Sequence, residues 1–444
     1  MIRKVMDAIY PRVCGLDVHE ETVVACRRRL TSDGQAESEV EIFKTTSAGL
    51  RLLSDWLTAW EVTHVAMEST GVYWIPVWNV LEGRFKLTLE NAQHLKKVPG
   101  RKDDISDAEW IAQCMQCGLL RGSFVPPLEV RQWRQLTRHR TKLVDQRTSV
   151  INRLHSVLEQ GNIKFSNVAS DIMGVSGREM IKAMSKGESD PARLAALARG
   201  RLKAKYEPLV EALDGQLNEN QRWMLGRLLE QVGILDKEIE SYSERIKELM
   251  APYQTQLERL DTIGGVGLRS AENILAEIGP DMAPFPTDDD LVSWGALCPG
   301  KNESGGKQGS RKTPKGNKWL KRALVEAAWA ATHEKDSYLA ALYRRLAPRR
   351  GKKRAIIAVA RTILQSAWHI LKEGVVYKEL GGDHFDRLNE EKSTKYFVKR
   401  LEKFGYEVVL KPKKAGKETV KPKPKRIKKS VAEPKSKKAR EATV

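Results

Sequence analysis

Four carboxylates in the N-terminal quarter of this 444-residue chain have the residue types and spacing of a site for a divalent cation. Asp104 and Asp107, in RKDDISDAEWIAQCMQC, are three apart at the start of an expected helix, a spacing that sends both side chains from one face. Asp17, in VCGLDVHEETVVAC, and Glu68, in HVAMESTGVYW, each close a short β-branched run that reads as a strand. Strand ends are where α/β sheets commonly carry chemistry. A hard cation such as Mg2+ takes oxygen ligands, so Asp17, Glu68, Asp104 and Asp107 are expected to converge on magnesium. Ions held there would polarise a phosphate ester and stabilise the oxygens of an in-line displacement.

A second chemical element follows far downstream. The loop from Pro299 to Asn317 sets Ser304 and Ser310 among glycines and the cations Lys307, Arg311, Lys312 and Lys315. A serine ringed by cations beside a polyanion could be a nucleophile whose product phosphate is neutralised locally. Composition alone favours the plainer reading, a loop that grips phosphate. Upstream of it, LDTIGGVGLRSAENILAEIG places Gly264, Gly265 and Gly267 between helical flanks. That is the pattern of a helix-hairpin-helix, whose backbone N–H groups approach a phosphate. Glycines also occur there for purely steric reasons. Cys114 and Cys117 form a CxxC with no second pair nearby, which reads as two buried helix cysteines rather than a zinc or redox site.

The elements that must position these groups can be read from periodicity. Val13–Val18, Thr22–Cys26, Val40–Thr45, His64–Met67 and Lys86–Asn91 read as strands, with Leu50, Leu53, Trp56 and Leu57 marking a helix face between the third and fourth. Short turns between the first strands predict an antiparallel start to an α/β sheet. From Leu128 to about Glu159 the chain turns helical and basic, and Arg131, Arg134 and Arg138 lie on a face that could track phosphates. After a mixed segment, Leu225, Leu228, Val232, Leu235, Ile239, Tyr242, Ile246 and Leu249 alternate steps of three and four, a coiled-coil seam. Its partner is either the helix around 142–158 of the same chain or another subunit. The last long helix, Arg354 to Leu371, reads as core.

Charge narrows the class of partner. Lys and Arg number 77 against 57 Asp and Glu, a net +20 that favours a polyanion over a small neutral substrate. The stretch from Lys411 to Val444 holds 14 basic and three acidic residues, so it carries +11 and the rest of the chain still carries +9. Its KPK units predict disorder from about 411, and non-specific affinity for DNA or RNA. Five sparse cysteines fit a reducing compartment, and the chain has neither a signal-peptide core nor an apolar run long enough for a membrane span. A soluble, intracellular protein is expected.

Three features together resemble the DEDD-type transposases of the insertion-sequence family numbered one hundred and ten. They are GLDVH with MESTG, KDDISDAEW, and the order GALCPGKNESGG…KGNKWLKRAL. The resemblance covers about residues 10–385. It implies a RuvC-like (RNase H-like) α/β domain over 10–125, a helical, coiled-coil region over 126–255, and a mainly α transposase domain with a helix-hairpin-helix over 256–390. A basic extension follows over 391–444. It implies that Asp17, Glu68, Asp104 and Asp107 are the metal-binding acids, with spacing to Asp107-Ala108 selecting Asp104 over the adjoining Asp103. Ser304, the serine of the SG pair, is by the same resemblance the nucleophile of a recombinase that cuts and rejoins DNA through a serine-phosphate link. Double-stranded donor and target DNA, a guide RNA, and a homodimer or homotetramer are the implied partners. A structure-selective nuclease of the same fold, with water as nucleophile, is the alternative activity. A purely nucleic-acid-binding protein would have no need of four acids so spaced.

Overall fold

The computed structural model describes residues 8–31, 34–69, 71–90, 95, 106–299, 303–304, 307–308, 313, 316–388 and 390–410. Two compact units are separated at Asp383, with His384 beginning the second.

The first unit opens with a five-stranded sheet in the order β3-β2-β1-β4-β5. Its strands are β1 (Arg12–Val18), β2 (Thr22–Leu30), β3 (Ala36–Lys44), β4 (His64–Glu68) and β5 (Lys86–Glu90). β1, β2 and β3 are antiparallel neighbours, whereas β4 and β5 run parallel to β1, as the short early turns required. Helices α1 (Ser47–Ala59) and α2 (Trp74–Leu81) make the crossovers and cover one face, where Leu16, Val65 and Met67 meet Leu50, Leu53 and Trp78. α3 (Asp107–Gln116) lies on the other face, its Trp110 and Ile111 packed on Val13 and Ala66.

β2 and β3 are longer than their apolar residues suggested. Charged residues extend them: Arg27 lies opposite Glu39 and Arg29 opposite Glu37, and both pairs are salt bridges, at 2.5 and 2.8 Å. The Arg27 guanidinium also lies over the Trp56 and Trp60 rings. Cross-strand ion pairs of this kind support strands that hydropathy cannot mark.

Among the described residues, the rest of the unit is helical apart from one short hairpin and the connecting loops. α4 (Leu128–Gln160) is followed by α5 (Val175–Ser185), α6 (Pro191–Ala196), α7 (Tyr206–Leu213) and α8 (Glu219–Leu249). α9 (Gln254–Asp261), α10 (Leu268–Ile278) and α11 (Asp288–Trp294) precede the hairpin β6 (Glu303–Ser304) and β7 (Lys307–Gln308). Then come α12 (Lys318–Thr332), α13 (Tyr338–Arg350) and α14 (Lys352–Glu373). α8 packs antiparallel on α4 of the same chain, with His139 stacked on Tyr242 and Arg147 bridged to Asp236. Of the eight-residue seam, Leu225, Val232, Ile239 and Ile246 are buried, and the alternate four are half-buried. Both ends of this pair join larger cores. Leu225 and Val232 meet α5–α7, and Ile246 meets Val130, Trp133 and the C-terminal helices. α14 is core along Ile356, Val359, Ile363 and Leu364.

In the second unit, α15 (His384–Leu388) and α16 (Glu390–Glu402) are followed by described residues to Leu410. The Lys411 to Val444 extension lies outside the described residues. No helix among them is long and apolar enough to cross a membrane.

Candidate active site

The register of the central strands brings two of the predicted acids together. β1 and β4 pair with Val13 opposite His64 and Leu16 opposite Met67. One step further along each strand stand Asp17 and Glu68, on neighbouring strands about 4.8 Å apart. Side chains alternate across a sheet. Because Leu16, Val65 and Met67 fill the core beneath α1 and α2, Asp17 and Glu68 belong to the opposite face, the one covered by α3.

Gly15 explains how α3 reaches that face. A Cβ at this position would lie 2.3 Å from the carbonyl oxygen of Ala108 and 2.3 Å from the amide nitrogen of Ala112. Only glycine therefore lets the first turns of α3 rest on β1, two residues before Asp17. Ser106 starts the helix through a capping box: its hydroxyl accepts from the Glu109 N–H, and the Glu109 carboxylate accepts from the Ser106 N–H. Asp107 thus occupies the first helical position, next to Ala108. The described helix begins at Asp107. Asp104 and Asp103 lie outside the described residues.

Two further residues stand beside these acids. Glu90 is the β5 residue opposite Glu68, only 2% exposed, so Asp17, Glu68 and Glu90 form a row on three adjacent parallel strands. The signal was there in KLTLE, which ends in an acid as HVAME does. His19 sets its Nε2 3.1 Å from Asp17 Oδ2, and the Asp17 side chain remains 24% exposed. Carboxylate oxygens are suitable donors for a hard cation. Among the described residues, no three acidic, histidine or cysteine side chains are close enough to hold one unaided.

Cys14, Cys26, Cys114 and Cys117 are free thiols. Burial pushes Cys26 and Cys114 up to about 12 and raises Cys14 and Cys117 as well, so these thiols stay protonated at neutral pH and suit packing better than metal binding.

The serine loop is a hairpin at its centre. Ser304 is the backbone partner of Lys307, and Glu303 of Gln308. Ser310, Arg311, Lys312 and Lys315 lie outside the described residues. The downstream end of the loop is fixed firmly. A Cβ on Gly316 would meet the Ala296 Cβ at 2.4 Å, so the chain returns against the residues that precede the loop. Asn317 caps α12 by accepting from the N–H groups of Trp319 and Leu320, while its amide donates to Glu277 at 2.6 Å.

Glu277 also receives two of the α4 arginines. Arg138 forks onto both carboxylate oxygens at 2.7 Å, and Arg134 approaches at 3.4 Å while donating to the Ala276 and Glu277 carbonyls. Arg131 pairs with Glu82 of the sheet domain at 2.6 Å and donates to Asn79. Arg140 is buried against Glu272. The basic face expected to track phosphates is thus engaged by carboxylates and carbonyls of the same chain. Arg131, Arg134 and Arg138 make α4 a strut from α2 to α10 and, through Glu277, to the foot of the serine loop.

The glycine turn before α10 is similarly occupied. Gly265 has φ +79°, and a Cβ there would lie 2.4 Å from backbone atoms of Ala327 and Ala331, so close packing on α12 requires glycine. Its N–H donates to the Glu334 carboxylate at 2.9 Å, and Gly264 lies beside the same group. Gly267 is the N-cap of α10, without a side-chain cap and with open space around it.

A five-stranded α/β sheet with acids on adjacent strand ends, and a helical region whose sequence carries a cation-rich serine loop, supply residue types that suit phosphate-ester chemistry. Comparison with known proteins agrees. The DEDD transposase model of the IS110 type matches residues 14–163, and the model "Transposase IS116/IS110/IS902 family" matches residues 257–344. The chain is 26% identical over 304 residues to "Transposase for insertion sequence element IS1111A" of Coxiella burnetii, covering 65% of this chain and 72% of that protein. It is 24% identical over 374 residues to a "Probable family 20 transposase" of Pseudomonas aeruginosa, covering 83% and 95%. The chain belongs to the IS110 family of insertion-sequence transposases and is a DNA transposase. The first matched segment contains all four predicted acids, and the second contains Ser304.

Proposed function

We propose that the chain cuts and rejoins DNA by a serine-phosphate mechanism, with Asp17, Glu68, Asp104 and Asp107 holding divalent cations and Ser304 as nucleophile. The observation that carries this reading is the strand-end pair Asp17 and Glu68, on the face where Gly15 admits the helix that begins with Asp107. Bound there, Mg2+ would supply Lewis acidity to the scissile phosphate.

The residues divide the remaining work. The Ser304 oxygen attacks phosphorus as its proton leaves, and one DNA oxygen departs and takes up a proton. The new serine ester keeps the phosphodiester energy. A hydroxyl of a second DNA end then attacks that ester and releases Ser304. Lys307, the backbone partner of Ser304, with Arg311, Lys312 and Lys315, balances the phosphate charge. Gly267 at the open start of α10 offers backbone N–H contacts to DNA phosphate. The domain division, a guide RNA and a homo-oligomer that completes the site belong to the same reading, supported by the family resemblance.

Substituting Asp17, Glu68, Asp104 or Asp107 singly with Ala should abolish cleavage of donor DNA in magnesium while leaving the melting temperature within a few degrees of the parent. Carboxylates gathered around a cation would repel one another without it, so their removal need not destabilise the fold. Full cleavage by Asp104→Ala together with loss in Asp103→Ala would shift the site by one residue. Full cleavage by Asp17→Ala would end the proposal.

A further inference from the structure

We propose that the corner between α13 and α14 is a docking surface for the phosphate backbone of duplex DNA. Residues 344–354 carry seven Lys and Arg and no acid, and the acid-free stretch runs from Ser337 to Lys372. Arg344, Arg345 and every residue from Arg349 to Arg354 are exposed. A surface that serves only solubility mixes both signs of charge. This stretch of chain carries a single sign.

Two features separate this corner from the other basic segments. The arginines of α4 are held by carboxylates of the chain, as Arg138 is by Glu277 and Arg140 by Glu272. By contrast, the side chains of Arg349, Arg350, Lys352, Lys353 and Arg354 make no hydrogen bond or ion pair among the described residues. The second feature is their place on the helices. Arg349 and Arg350 lie in the last turn of α13, where cations complement the helix dipole. Lys352, Lys353 and Arg354 open the 22-residue α14, where cations oppose it, and no acid or side-chain cap offsets them. Internal stability does not account for three cations at that end, but an external polyanion would.

The corner is also presented rigidly. Gly351 turns the chain at φ +83°, with open space around it. Leu339 and Ala340 on one side and Ala355, Ile356 and Val359 on the other are buried. The cations therefore project from a fixed base. DNA is the polyanion on which this family acts, and the corner begins where the second matched segment ends, at Arg344. The inference rests on the DNA-acting class alone, so it stands or falls separately from the role of Ser304.

The test uses the full chain with R349Q, R350Q, K352Q and K353Q, and a random-sequence duplex as probe, with binding followed by anisotropy between about 50 and 200 mM KCl. Loss of these contacts should lower the slope of log affinity against log salt by about 3 to 4 and weaken binding at least about tenfold near physiological salt. The same change should appear in a chain lacking Lys411 to Val444. The charge-preserving set R349K, R350K, K352R and K353R should bind like the parent, which separates charge from misfolding. An unchanged slope in the neutralised chain overturns the proposal, as does equal weakening in the charge-preserving set. Weakening toward single-stranded RNA but not duplex DNA would assign the surface to RNA and overturn it too.

Discussion

Gly15 is the residue on which the proposed acidic site turns. Its missing Cβ lets α3 rest on β1, and that contact sets Asp107 near the strand that carries Asp17. Both obstructing atoms are backbone, so a methyl group cannot be accommodated by a side-chain rotation. Gly15→Ala should cost about 1–3 kcal/mol in urea denaturation, the usual range for overpacking. It should also reduce cleavage far more than duplex binding. A variant with parental stability and cleavage would show that α3 need not touch β1 for the acids to act. Asp236 offers a second residue-scale check. Burial raises its carboxyl pKa, but hydrogen bonds from Arg147 and Arg178, both at 2.5 Å, outweigh that and hold it below the ordinary value. A depressed folded pKa means stability that is fully present above the unfolded value of about 3.9 and lost as pH falls through the folded one. Urea midpoints measured between about pH 5 and 2 should fall less steeply in Asp236→Asn than in the parent. Equal slopes would contradict the ion-pair assignment.

Among the elements, the α4–α8 pair joins the helical cores. Its buried residues recur every seven, and Ile239 is 5% exposed whereas Leu235 is half-buried. Ile239→Ala should therefore destabilise by about 2–4 kcal/mol, and Leu235→Ala by clearly less, as read from denaturation midpoints. Equal effects would mean that the two halves of the seam are buried alike, as by a second helix in an assembly. The sequence pattern was sufficient to find this helix, since steps of three and four leave little choice, but it could not choose the partner. Nothing in apolar periodicity distinguishes a helix of the same chain from one of another; the Arg147 and His139 contacts do. The sheet was legible for the same reason, because β-branched runs ending in Asp17 and Glu68 mark parallel strand ends. Its charged extensions and α2 were not, because Arg27, Arg29, Glu37 and Glu39 look like loop residues until they face one another. The internal partners of the α4 arginines were hidden for a related reason. A row of arginines announces charge but not its partner, and Glu277 and Glu272 are more than 130 residues away in sequence.

At the scale of the whole molecule, the acids and the serine lie in separate matched segments, 14–163 and 257–344, connected by the long helices. Arg131 ties α4 to the sheet domain, and Arg138 ties it through Glu277 to Asn317 at the foot of the serine loop. A serine mechanism requires a covalent link between DNA and the second segment, whereas hydrolysis by water leaves none. The decisive measurement is therefore the identity of the residue that becomes linked to DNA. The full chain is incubated with magnesium and a nicked donor duplex that traps the intermediate. It is then digested, and the DNA-bearing peptide is sequenced by mass spectrometry. The expected result is a single adduct on Ser304, absent in Ser304→Ala although that variant still binds the duplex. Strand cleavage with no adduct on any residue would contradict it and make water the nucleophile.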